Sequence, residues 1–196
     1  MSVCVITGVK KCRCVTTSAK RVINSEDYRV ALRRVFSDHS WYTSSVISES
    51  LPLLQPNAEF VTKRVLENPA QIKQVLLPLT SSAIADNFEK AVAEHLKLAA
   101  ATLEPARNGD TARLTEAVNK FYAQGDDFGR AIYSLNMNGI TEEAANATVR
   151  EHNEFVVKLV TLRKEQNYEE YIKVLDVYNT HMMMMADIIY ELLKNK

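Results

Sequence analysis

The sequence predicts an all-α protein: an up-and-down helical bundle of about five long helices, with two short helices inserted after the first. Three observations predict it. From Asp27 onward, apolar residues recur at helical spacing along nearly the whole chain. Gly and Pro number only five each in 196 residues, too few for a fold built on tight turns. The connections between the periodic stretches are short, which favours antiparallel neighbours. With 46% hydrophobic residues the chain has enough apolar surface for one full core.

The elements follow from their stops. A first long helix is expected over about 28–51, ended by Pro52. Between Pro56 and Thr80 lie two shorter pieces, NAEFVTKRVLEN and PAQIKQVLLPL, divided by Pro69, a residue tolerated at a first helical turn. A second long helix, about 82–104, is separated from the third, about 111–137, by Pro105 to Gly109. Asn138-Gly139 ends the third. Thr141, followed by Glu143 and an apolar run, starts the fourth over about 142–163. Gln166-Asn167 breaks the fourth from the last, about 168–194.

Residues 1–26 read as a separate basic tail ahead of a bundle domain over 27–196. Lys10, Lys11, Arg13, Lys20 and Arg21 stand in residues 1–25 without an acid, so the rest of the neutral chain is acidic. The segment MSVCVITGVKKCRC does not resemble a signal peptide, because its charges follow the apolar stretch instead of preceding it. No run approaches the roughly 20 apolar residues that span a bilayer. An intracellular soluble protein is expected, cytoplasmic, with nuclear targeting or virion packaging as further options. Cys4, Cys12 and Cys14 all lie in the tail. They suggest no disulfide framework, and a soft-metal site there lacks a fourth ligand. The balanced total charge points neither to nucleic acid nor to membrane, apart from weak anion contact through the tail.

The four histidines carry the candidate site. Successive helical residues turn by about 100°, so each side chain can be assigned to a stripe. His39 falls among Leu32, Val35, Phe36, Thr43 and Val46, and His95 among Phe88, Val92, Ala99 and Leu103. His152 joins Val149, Phe155, Val156 and Leu159, and His181 joins Val174, Tyr178, Met185 and Leu192. All four point inward. Each also lies within about two residues of its helix midpoint, roughly 3 Å at the helical rise. Antiparallel helices pack midpoint against midpoint, so the four imidazoles are expected in one layer.

Two readings of that layer stand open. Neutral imidazoles ligate zinc, iron or copper, and bundles build metal sites from facing helices. Equally, the rings are buried polar groups with hydrogen-bond partners, for which Tyr42, Tyr178, Thr43, Thr148 and Gln124 are candidates. Gly125, at the middle of the helix that lacks a histidine, is expected to leave room for a ligand beside Tyr42 and Tyr178. The ExxH pair of di-iron bundles is missing, since Glu94 and Glu151 directly precede their histidines and point off the stripe. HExxH, phosphate-binding Gly-rich loops and GxSxG are missing too, so no catalytic residue is assigned. In HMMMMAD, Met182 and Met185 belong to the core. Met183 and Met184 face outward toward a second contact surface, either another helix of the chain or a homodimer partner.

With those residues located, the chain resembles a family of small, poorly characterised helical-bundle proteins from bacteria and large DNA viruses. The family pattern has a histidine three before Trp-Thr-Arg, then a Leu-Pro turn and an Arg-Leu-Leu-x-Asn stretch. Here HSWYTS at His39, LPLLQPN at Leu51 and KRVLEN at Lys63 are similar to them. EHLKLAA, FYAQGDDF, REHNEF and YNTHMMMMAD extend the resemblance over about residues 28–193, and it includes all four histidines. Tyr42, Ser44 and Pro69 depart from the family's Trp, Arg and Gln. An anion-neutralising role of that Arg would be lost here. The resemblance implies the bundle and its histidine site, and it implies no reaction.

The expectation is therefore a bundle that binds a metal ion or small ligand through His39, His95, His152 and His181. The alternative is a non-catalytic structural or interaction protein, a homo-oligomer or virion component, whose histidines form a hydrogen-bonded core layer.

Overall fold

The computed structural model describes residues 25–194, and every regular element in that range is an α-helix. The tail expected over residues 1–26, with its three cysteines and its basic residues, lies almost wholly outside the described residues. In chain order the helices are α1 (Ser25–Ser50), α2 (Ala58–Val65), α3 (Asn68–Leu76), α4 (Ser82–Ala100), α5 (Leu103–Asn108), α6 (Thr111–Tyr133), α7 (Glu142–Lys164) and α8 (Tyr168–Lys194). None of them is long and apolar enough to cross a membrane.

Helix starts follow local chemistry. The Ser81 hydroxyl accepts from the Ile84 amide, Asp110 from Arg113 and Thr141 from Ala144, at 3.3, 3.0 and 3.2 Å. Each satisfies an amide that the helix cannot, worth about 1 kcal/mol. Gly109 ends α5 at φ 71°, a left-handed conformation that suits glycine. Gln166 takes φ 59° between α7 and α8, where Asn167 then accepts from the Glu170 amide.

Three boundaries differ from the sequence expectation. First, α1 begins at Ser25, ahead of the expected start. Second, the helix expected to reach residue 104 stops at Ala100, and the stretch taken as a connection forms the short helix α5. Pro105 explains the break: it has no amide to give Ala101, and its ring crowds that carbonyl. Third, α6 ends at Tyr133, four residues early. Asn136 is drawn away there by a 2.9 Å bond to the Leu192 carbonyl of α8.

Packing runs from α1 to α8, then α7, α6, α4 and α3, and returns to α1, while α7 also touches α1 directly. The α2 helix lies on α1, and α5 packs against α6, α7, α1 and α4. Phe36, Phe88, Phe121, Leu159, Tyr178 and Met182 fill the centre almost without exposure. Burying each such side chain contributes about 1.5–3 kcal/mol. Met182 and Met185 are in this core, Met183 is half-buried and Met184 is exposed.

Candidate metal centre at His152

The four histidines come from α1, α4, α7 and α8, and none is more than 5% exposed. His152 is the hub. Its ring lies 5.0 Å from that of His95, 5.9 Å from His39, 6.1 Å from His181 and 5.4 Å from Tyr178, centroid to centroid.

Two of the surrounding rings are clamped by the same device. His39 Nδ1 is 2.9 Å from Asn68 Oδ1, and the Asn68 amide nitrogen donates to the Val35 carbonyl at 2.8 Å. His95 Nδ1 is 3.3 Å from Gln124 Oε1, and the Gln124 nitrogen donates to the Ala91 carbonyl at 2.9 Å. Val35 and Ala91 each precede their histidine by one helical turn. A carbonyl only accepts, so it fixes which end of each carboxamide faces it. The other end, an oxygen, faces the ring and requires a proton on Nδ1. Nε2 of His39 and of His95 is therefore a bare lone pair.

His181 follows a looser version. Its Nδ1 stands 3.6 Å from the Glu151 carboxylate, which is about half exposed, and Nε2 is buried without a hydrogen-bond partner. His152 differs from all three. Its Nε2 is 3.1 Å from Nε2 of His95, so in the neutral pair His152 donates and its own Nδ1 is left bare, buried and unpartnered.

Burial sets the charge. Desolvation lowers the pKa of all four rings, that of His95 to about 3 and that of His152 well below the ordinary 6.5. At His181 the nearby Glu151 and the Thr148 carbonyl offset part of the effect. The centre is neutral at pH 7, the state in which imidazole ligates metals. Burial also raises the pKa of Tyr178, whose hydroxyl is directed toward Thr43 without either oxygen completing a hydrogen bond.

Two expected site residues do something else. Tyr42 is half-buried under the Arg64 guanidinium, 4.3 Å from its ring centre. Gly125 leaves no room for a ligand, because the space is taken by Asn153: a Cβ there would stand 2.6 Å from Asn153 Nδ2. Asn68 was missed by the sequence reading. It opens α3 directly before Pro69, where an asparagine before proline reads as a turn, yet it is fully buried. Glu151 does point off its own stripe, but that direction leads to α8 and His181.

Among the described residues, no three His, Cys, Asp or Glu side chains converge in this arrangement on a point that would hold an ion. The His95–His152 pair comes nearest. Two ligands of one tetrahedral ion, at bonds of about 2.0–2.1 Å, stand roughly 3.3 Å apart, and this pair is at 3.1 Å. No family model matches the chain, and neither the curated proteins nor the solved structures contain a match to it.

Proposed function

We propose that this chain is an up-and-down helical bundle that binds one transition-metal ion, zinc, iron or copper, among His39, His95, His152 and His181. Its resemblance to the histidine-bearing bundles of bacteria and large DNA viruses, and an intracellular setting, belong to the same proposal. One observation carries it. Around His152, His39 and His95 are each held at Nδ1 by a carboxamide oxygen, which leaves Nε2 an unprotonated lone pair, and the Glu151 carboxylate stands 3.6 Å from Nδ1 of His181. Ligating histidines are oriented in this way: the outer hydrogen bond fixes tautomer and ring plane and raises basicity. Closure on an ion requires the rings to move, since no three such side chains converge among the described residues. The loose 3.6 Å contact of His181 and the lone donor bond of His152 leave these two rings freest to do so.

Anaerobic loading with one equivalent of each metal, followed by elemental analysis and thermal melting, tests this. Binding to the folded state alone adds about 2.7 kcal/mol at a hundredfold excess over Kd. Single alanine substitutions at the four histidines are expected to weaken binding together, and acid to release the ion. No bound metal and no shift in melting with any of the three would end the proposal.

The second reading, a non-catalytic structural or homo-oligomeric protein, is favoured by the His95–His152 contact, in which two rings satisfy one another without an ion. Half-buried Met183 and exposed Met184 offer it a surface for a second copy. Light scattering at high concentration tests it, and a clean monomer removes the oligomer.

A further inference from the structure

The sequence holds two Asn-Gly pairs, Asn108-Gly109 and Asn138-Gly139. Both are exposed, and the fold treats them differently. Asn108 is the last residue of α5, and its side-chain nitrogen donates to the Glu104 carboxylate at 3.1 Å. The Gly109 amide donates to the Ala106 carbonyl at 3.3 Å, and the Asp110 amide to the Pro105 carbonyl at 3.0 Å. Asn138 lies in the turn between α6 and α7, and its side chain makes no hydrogen bond among the described residues. The Gly139 amide is held by a single 2.9 Å bond to the Asn136 carbonyl, which closes a four-residue turn. Asn136 anchors that turn. Its Oδ1 accepts from the Asn138 amide at 3.2 Å, and its Nδ2 donates to the Leu192 carbonyl of α8 at 2.9 Å.

We propose that Asn138 is a site of spontaneous deamidation in the folded protein, and that the fold protects Asn108. The Gly139 amide nitrogen loses its proton to hydroxide and attacks Cγ of Asn138. The N–Cγ bond forms, the Cγ–Nδ2 bond breaks, and Nδ2 leaves as ammonia with a proton from water. One water then opens the cyclic imide. Cleaving the new N–Cγ bond gives aspartate. Cleaving the original main-chain bond gives isoaspartate, whose backbone runs through Cβ and Cγ. Glycine favours the attack because it has no Cβ to crowd the approach to its nitrogen. The unattached Asn138 carboxamide is free to swing onto that nitrogen, and opening one exposed turn costs little. At Asn108 the same motion has to break the Glu104 bond and the bonds that close α5. The product also disturbs the join of α6, α7 and α8. A Cβ on Gly139 would stand 2.8 Å from Leu192 Cδ2 and 3.2 Å from Asn136 Nδ2, so a lengthened backbone has no slack there. Isoaspartate is therefore expected to pull Asn136 from the Leu192 carbonyl and loosen the last turn of α8.

Peptide mapping by mass spectrometry, after incubation of the full chain at mildly alkaline pH, is the test. In urea the two pairs are expected to react at similar rates, being the same dipeptide. In the folded protein Asn138 is expected to react about tenfold faster than Asn108, a difference of roughly 1.4 kcal/mol between the two opening costs. Gly139→Ala is expected to slow the reaction at Asn138, and Asn138→Gln to abolish it if the alanine variant does not fold. The fraction labelled by an isoaspartate methyltransferase is expected to melt below the Asn138→Asp variant, which carries the charge without the longer backbone. Comparable rates at the two sites in the folded protein, or a faster reaction at Asn108, overturn the proposal. The same tenfold separation in urea also overturns it, because the cause would then lie outside the fold. A labelled fraction that melts like Asn138→Asp overturns the effect on α8.

Discussion

Nε2 of His95 stands 3.1 Å from Nε2 of His152, and in the neutral, metal-free pair only His152 carries a proton there. The assignment follows from Gln124, whose nitrogen is committed to the Ala91 carbonyl and whose oxygen thus takes the Nδ1 proton of His95. Long-range proton–nitrogen correlation spectra at pH 7 are expected to show His95 protonated on Nδ1 and His152 on Nε2. The reverse pattern would break the chain of hydrogen bonds from which the free donors were derived.

Acid should destabilise the metal-free fold before any carboxylate titrates. Burial lowers the pKa of all four histidines from 6.5, to about 3 for His95. Between those values the unfolded chain binds protons that the folded chain refuses, so stability falls as pH falls. The contribution is complete above about pH 6.5 and continues to be lost down to the folded values. A second loss comes lower, because Arg33 and Arg29 hold the Asp187 carboxyl down at about 2 against an ordinary 3.8. Melting followed by circular dichroism is expected to be level above neutrality and to decline steadily below it. A constant melting temperature down to pH 4.5 would contradict the buried, neutral layer.

The two glycines of α6 that face α7 should differ in their tolerance of alanine. At Gly125 a methyl meets the end of the Asn153 side chain, which has some freedom to turn aside. At Gly129 it also meets the Asn146 backbone, with Cα at 2.8 Å, so the helices themselves must separate. Overpacking of this kind costs about 1–3 kcal/mol. Urea denaturation is expected to place Gly125→Ala at the low end and Gly129→Ala at or beyond the high end. Equal stabilities would refute the close approach of α6 and α7 at Asn146.

Removing a clamp should expose its partner. Asn68→Ala leaves the buried Nδ1 proton of His39 without an acceptor, and Gln124→Ala does the same to His95. Each is expected to cost about 1–3 kcal/mol. Combining Asn68→Ala with His39→Ala should cost less than the separate losses, since one partner cannot be orphaned when both are gone. Strict additivity in that cycle would show that the two residues do not act together.

What the sequence by itself determined is helical character and direction. Repeats of apolar residues near 3.6, the Thr141 start, the Gln166-Asn167 break and the inward heading of each histidine are local properties of a chain turning about its own axis. The tertiary structure decided who meets whom. The heading of Glu151 was legible, but its partner on α8 was not, because a stripe carries no information about the neighbouring helix. Gly125 was legible as a missing side chain, and only the packing of α7 shows that Asn153 fills the gap. Tyr42 was legible as a candidate partner for the histidines, and only the packing of α2 on α1 shows the Arg64 guanidinium over its ring. Asn68 had no stripe at all. Its burial follows from α3 closing the packing between α1 and α4, a non-local contact that no spacing in the sequence encodes.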